Sequence, residues 1–158
     1  MMLLENKKDV LDIKKTGEYV LETDIDMENI VVSRLVDDFR GTIDGGGHTI
    51  RNITVSCNAE YDEQSIALIN SMFNATIKNI TFENVVFKIN DNGYSVHSAA
   101  LCALCENSRL ENVVVKHSCS TQLPLVYESN SSNYSHCCSL TSNAKSKVVL
   151  FSYNDKII

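Results

Sequence analysis

A six-residue pattern built around asparagine constrains this chain more than any other feature. Ile50-Arg51-Asn52-Ile53-Thr54-Val55, Ile77-Lys78-Asn79-Ile80-Thr81-Phe82 and Leu110-Glu111-Asn112-Val113-Val114-Val115 each run aliphatic, any, Asn, Ile or Val, any, Val or Phe. The last two copies extend upstream in register, because Ala67-Leu68 and Ala100-Leu101 are 33 residues apart, as are Asn74 and Asn107. Ser146-Lys147-Val148-Val149-Leu150-Phe151 reads as a degenerate fourth copy. A unit this short cannot bury its apolar face alone, whereas copies stacked at the ~4.8 Å spacing of paired strands form a continuous core. Asn tolerates left-handed backbone angles and bonds neighbouring backbone, so it suits the corner between two strand directions. The pattern therefore predicts an all-β chain, a parallel β-solenoid with coils of about 20 to 33 residues. An antiparallel sandwich would want more turn dipeptides, spaced every ~8 to 12 residues.

Composition agrees with strands and polar turns rather than helices. The 158 residues include 16 Asn, 17 Ser and 37 Val, Ile or Thr against seven Ala. No run approaches the ~18 apolar residues of a membrane helix, and one Pro with six Gly excludes collagenous chains. The length suits one domain spanning residues 1–158. Within it, residues 3–15 place Leu3, Leu4, Val10, Leu11 and Ile13 on one side at helical spacing, with Thr16-Gly17 as a stop. That predicts an N-terminal amphipathic helix capping the open end of the solenoid. Coils are expected over 19–118, and a degenerate last coil and C-terminal strand over 120–158. The stretch 127–147, poor in apolar residues, reads as a long loop or ragged coil.

One family resembles these segments. Tyr19 to Met27, Phe39-Arg40-Gly41-Thr42-Ile43-Asp44-Gly45-Gly46-Gly47-His48-Thr49-Ile50 and Asn52-Ile53 are similar to the opening coils of right-handed parallel β-helix proteins with GLUG-like repeats. Ala99-Ala100-Leu101 to Asn112-Val113 resembles those repeats in degenerate form, so the likeness covers about residues 4–118. It implies a short right-handed parallel β-helix and is silent on function, since adhesins and phage proteins both carry the pattern.

Charge is uneven along the chain. Residues 1–63 hold 14 Asp or Glu and seven Lys or Arg, a balance of −7, while 64–158 hold six and seven, a balance of +1. With no Lys/Arg cluster, direct binding of nucleic acid is disfavoured and a basic partner is favoured. Read as one strand, residues 19–28 turn Tyr19, Leu21, Thr23, Ile25 and Met27 to one side and Glu22, Asp24, Asp26 and Glu28 to the other. With Asp37 and Asp38, and further out Glu60, Asp62 and Glu63, these carboxylates form a candidate surface that imitates a phosphate backbone.

Other chemistries have weaker signals. Asp44-Gly45-Gly46-Gly47-His48 lacks the spacing of a nucleotide loop and reads as a tight corner needing positive φ, with His48 a turn or strand residue rather than a base. Asp24-x-Asp26-x-Glu28 lacks the turn glycine and distal Glu of a calcium loop. Cys102-x-x-Cys105 lies in an apolar run and, like the other cysteines, reads as a reduced, buried thiol rather than a zinc ligand. His97 and His117 read as surface or corner residues, and the five Asn-x-Ser/Thr sequons as chance in so polar a chain. Glycoside hydrolysis would need paired carboxylates across a walled cleft, which few short coils without Trp do not supply. The expectation is a non-catalytic protein without cofactor or metal and with no secretory signal in the chain as given, hence cytoplasmic, that binds a basic, nucleic-acid-handling protein. The alternative is a carbohydrate-associated module of adhesin or tail-spike type.

Overall fold

A computed structural model describes residues 1–58, 63–90, 95–119, 123–141 and 148–151. The strands are β1 (Met2–Leu4), β2 (Glu18–Leu21), β3 (Ile25–Val32), β4 (Thr42–Asp44) and β5 (Thr49–Asn58). After them come β6 (Glu63–Ile66), β7 (Ile69–Phe73), β8 (Thr76–Asn90), β9 (Ser95–Ser98) and β10 (Cys102–Glu106). The series ends with β11 (Arg109–Ser118), β12 (Val126–Asn130), β13 (Asn133–Ser135), β14 (Cys137–Thr141) and β15 (Val148–Phe151). One short helix, α1 (Lys7–Leu11), lies between β1 and β2. The fold is all-β, with one ten-stranded sheet, one of three strands and one of two. Every strand pair except β14 with β15 is parallel. Among the described residues, no helix is long and apolar enough to cross a membrane.

Parallel register turns the sequence pattern into columns of stacked side chains. Met2, Tyr19, Ile43, Ile77, Leu110 and Tyr134 pair in succession, in steps of 17, 24, 34, 33 and 24 residues. A second column runs Ile25, Ile50, Phe82, Val115, Ser139, and a third Ile30, Ile53, Val85, His117, Thr141. Phe39, Met72, Cys105 and Ser129 form another, across the three-stranded sheet. All of these beyond Met2 are buried except Ile30, which packs partly buried on the core, and Ser129. Each inward side chain thus meets its counterpart one tier away, which is how short strands share one core.

The corners between strand directions are left-handed, and asparagine holds most of them. Asn52, Asn74, Asn79, Asn84, Asn107 and Asn112 have φ between 47° and 65°. Their amides bond from tier to tier: Asn112 Nδ2 donates to Asn79 Oδ1 (3.0 Å), Asn84 Nδ2 to Asn52 Oδ1 (2.7 Å), and Asn107 Nδ2 to Asn74 Oδ1. The glycine turn occupies the same kind of corner. Gly46 and Gly47 have φ of 59° and 84°, and a Cβ on Gly45 would collide with the Asn79 carbonyl oxygen.

Several expectations are corrected. The copy at Ile50 does not stack on the copy at Ile77; Ile50 faces Phe82, because β8 holds a second, overlapping copy, Phe82-Glu83-Asn84-Val85-Val86-Phe87. Helix covers Lys7–Leu11 instead of 3–15: Leu3 and Leu4 pair with Val20 and Leu21, and Asp12 caps the end. The Asn6 side chain caps the start, accepting from Asp9 N in a capping box, while Val10 and Ile13 are buried. Residues 126–141, read as a long loop or ragged coil, carry β12, β13 and β14, each paired parallel with a strand of the preceding tier. Two of their buried polar side chains are bonded: Ser132 Oγ donates to Cys105 O (3.0 Å) and Ser139 Oγ lies 3.0 Å from His117 Nδ1. The strand at 148–151 pairs antiparallel with β14, so it closes the sheet rather than forming a stacked fourth copy. Ser146 and Lys147 lie outside the described residues.

His117 is buried in the third column, not at the surface, with its ring edge-on to Phe87. Leu123 N donates to its Nε2 (3.4 Å). His97 stacks on Tyr127 with ring centroids 4.7 Å apart.

Replacing Asn79 separates the two duties of a corner residue. Asn79→Gly removes the ladder bonds alone and is expected to cost roughly 1 to 2 kcal/mol. Asn79→Ala adds left-handed strain of roughly 1 to 2 kcal/mol more. Urea unfolding of both variants checks the order, and an alanine variant as stable as the glycine variant would refute it.

Candidate functional site

The predicted acidic stripe breaks at a corner. Strand β2 ends at Leu21 and β3 begins at Ile25, so Thr23 is exposed at the turn instead of facing inward. Tyr19, Leu21, Ile25 and Met27 are buried, and Glu22, Asp24, Asp26 and Glu28 are exposed. The alternation holds on both strands, but the four carboxylates follow a bent path. Glu28 and Asn29, both left-handed with φ of 56° and 60°, bend it again.

Most of these carboxylates are structural acceptors. Asp24 Oδ1 accepts the Thr49 amide (2.9 Å) and lies 3.3 Å from His48 Nδ1. Asp26 Oδ1 accepts both the Glu28 amide (2.8 Å) and Asn52 Nδ2 (2.9 Å), with Arg51 Nε 3.9 Å from its other oxygen. Glu28 pairs with Lys7 at 2.8 Å. Asp37 accepts Asn70 Nδ2 (2.8 Å) beside Arg34, and Asp38 accepts Ser71 Oγ (2.6 Å) beside Lys15. Among the described residues, Glu22 makes no side-chain hydrogen bond or ion pair, although its amide donates to Leu4 O.

The structure therefore sorts the four aspartates into two groups. Asp24 and Asp26 bind the tier at 48–52, while Asp37 and Asp38 bind the tier at 70–71. Among the described residues, no hydrogen bond or ion pair joins one group to the other. Glu60 and Asp62 lie outside the described residues, as does the side chain of Glu63.

Asp44, which the sequence presented only as part of a turn, belongs with them. Its Oδ1 accepts the Gly46 amide (3.0 Å) and Asn79 Nδ2 (3.5 Å), with Lys78 Nζ 3.6 Å away. Asp44 and Asp26 each stand at the head of an asparagine ladder, where a carboxylate accepts and has nothing to donate. The repeat of Asn at each later corner is the signal that points back to these two acids.

Hydrogen bonds hold four of these acids, Asp24, Asp26, Asp38 and Asp44, toward their charged form. The Thr49 amide pulls the Asp24 pKa below its ordinary 3.8, Asn52 does so for Asp26, Ser71 for Asp38 and the Gly46 amide for Asp44. They are anionic at neutral pH. The side chains of Asp24, Asp26, Glu28, Asp37 and Asp38 are 45% to 71% exposed. The result is a set of fixed carboxylates, partly offset by Lys7, Lys15, Arg34 and Arg51.

Cys102, Cys105, Cys119 and Cys137 are buried free thiols and Cys138 is half-buried. Burial pushes the Cys102 thiol up, while hydrogen bonds from Cys102 and Ser132 pull Cys105 below its ordinary range. Among the described residues, no three His, Cys, Asp or Glu side chains group to hold a metal ion. Comparison with protein-family models, with curated proteins and with solved structures finds no match to this chain.

Acid should destabilise the protein in two windows. Burial lowers the His117 pKa below 6.5, so its contribution is present above that value and is lost as falling pH forces protonation. The depressed aspartates contribute above 3.8 and lose that contribution as pH falls through their folded values. Melting temperature against pH should fall in two steps, with Asp26→Asn reducing only the lower one.

Proposed function

We propose that the chain is a short right-handed parallel β-helix of the GLUG-like kind, and that it works as a non-catalytic binding protein. Parallel pairing in steps of 24 to 34 residues supports the first part, and so does the run of left-handed asparagine corners. The right-handed sense follows the general preference of parallel crossovers. The short helix α1, with Val10 buried, sits at the N-terminal edge as a cap.

The partner in this reading is a basic, nucleic-acid-handling protein. One observation carries it: Asp24, Asp26, Asp37 and Asp38 reach solvent and are already held in place by Thr49, Asn52, Asn70 and Ser71. A preorganised anionic array loses little side-chain entropy on docking and steers a cationic surface toward it. Glu22, Asp24, Asp26, Glu28, Asp37 and Asp38 are the contact residues. Occupying a nucleic-acid channel in this way would block it, as phage or mobile-element inhibitors of host defence do, including anti-CRISPR proteins. The site of action is then the cytoplasm.

A second reading, a carbohydrate-associated module, is favoured by a groove of about 350 Å³. Asn74, Asn107, Ser131 and Asn133 line it with amides and hydroxyls that suit sugar hydroxyl groups.

The test uses residues whose carboxylates accept no backbone amide, so that the fold survives. Glu22→Lys with Glu28→Lys should abolish capture of basic, nucleic-acid-handling proteins from cell lysate, and added salt should weaken wild-type capture. Capture unchanged by the double reversal, with retention on a glycan array, would replace this reading with the second.

A further inference from the structure

The ladder that begins at Asp26 stops one tier early. Asn52 donates to Asp26, and Asn84 donates to Asn52, so each tier supplies the donor for the one before. The next tier has no asparagine to continue it. Val115 faces Phe82 and His117 faces Val85, so the single residue Lys116 spans the place that Glu83 and Asn84 fill in β8. The corner is one residue short there, and Asn84 Oδ1 is left without a donor among the described residues.

A groove of about 350 Å³ opens at this place, within the usual size range of small-ligand sites. Glu83, Asn84, Lys116, His117, Leu140 and Thr141 line it. His117 has both ring nitrogens occupied, by Ser139 Oγ and the Leu123 amide, and serves as floor. Glu83 and Lys116 are exposed and, among the described residues, form no ion pair with each other or with any other side chain. The groove therefore presents a carboxylate, a free amide oxygen and an ammonium, each unspent, beside the apolar Leu140.

We propose that this groove binds a small zwitterion of the α-amino acid class. The ligand ammonium replaces the missing ladder donor, bonding Asn84 Oδ1 and the Glu83 carboxylate, and the ligand carboxylate pairs with Lys116 Nζ. A simple cation or anion satisfies only one of the two charges, whereas a zwitterion satisfies both. Leu140 offers its surface to the ligand side chain.

Backbone amide NMR of the full chain, titrated with a panel of the common α-amino acids, tests this. Saturable shifts at Glu83, Asn84, Lys116 and Leu140 are expected with at least one of them. The N-acetyl form, lacking the ammonium, and the methyl ester, lacking the carboxylate, should each bind more weakly. Glu83→Gln and Lys116→Met should each weaken binding by about threefold to fivefold, the size of an exposed ion pair, and Lys116→Arg should restore it. Because both positions are exposed, amide dispersion should stay native in every variant. Absence of saturable shifts with every amino acid, or equal binding of the N-acetyl form or of Glu83→Gln, overturns the proposal.

Discussion

The tier-to-tier hydrogen bond between left-handed side chains is the interaction on which the rest of this structure depends. A parallel stack of short strands has to change direction at the same place in each tier. An L-residue pays for a left-handed corner in strain, and asparagine offsets that strain by bonding its neighbours. Asn112 to Asn79 and Asn84 to Asn52 are such bonds, and Asp44 and Asp26 terminate their ladders as acceptors. With the corners aligned, Ile43, Ile77 and Leu110 fall into one buried column.

The candidate surface follows from the same geometry. Of the ladder-head carboxylates Asp26 is exposed and Asp44 half-buried, and both are held toward the ionised form by the amides that point at them. Asp26 is at once a turn acceptor and a surface charge. Fold and the proposed contact surface thus share Asp24 and Asp26, while Glu22 and Glu28 carry charge without accepting a backbone amide. The local balance of −7 over residues 1–63 overstates the free charge, since Lys7, Lys15, Arg34 and Arg51 sit beside four of these acids.

Legibility varied with how much each element owed to local pattern. The repeats at Ile77 and Leu110 were readable because both sides of the pairing obey one alternation, and they stack directly. Strand alternation likewise placed Leu21, Ile25 and Met27 inside and Asp24 and Asp26 outside. The helix over 3–15 misled because Leu3 and Leu4 fit a helical face and a strand equally well, and pairing with β2 decided between them. Residues 126–141 leave loop and ragged coil both open for the opposite reason. Ser132 and Ser139 look like loop residues but are buried, their hydroxyls bonded to Cys105 O and His117 in the folded tiers.

The sequence by itself determined that the chain is built of parallel strands turned at asparagine corners, because a short alternating unit with a left-handed residue has few other ways to bury its apolar side. It also determined that acidity gathers in the first 63 residues. Only the tertiary structure decided which repeat lies on which, that Ile50 meets Phe82, and that His117 belongs to the core. It alone showed that Asp24, Asp26 and Asp38 already hold partners. Register joins residues 24 to 34 apart, and a one-residue difference at Lys116 moves every contact beyond it, so local pattern carries no record of the outcome.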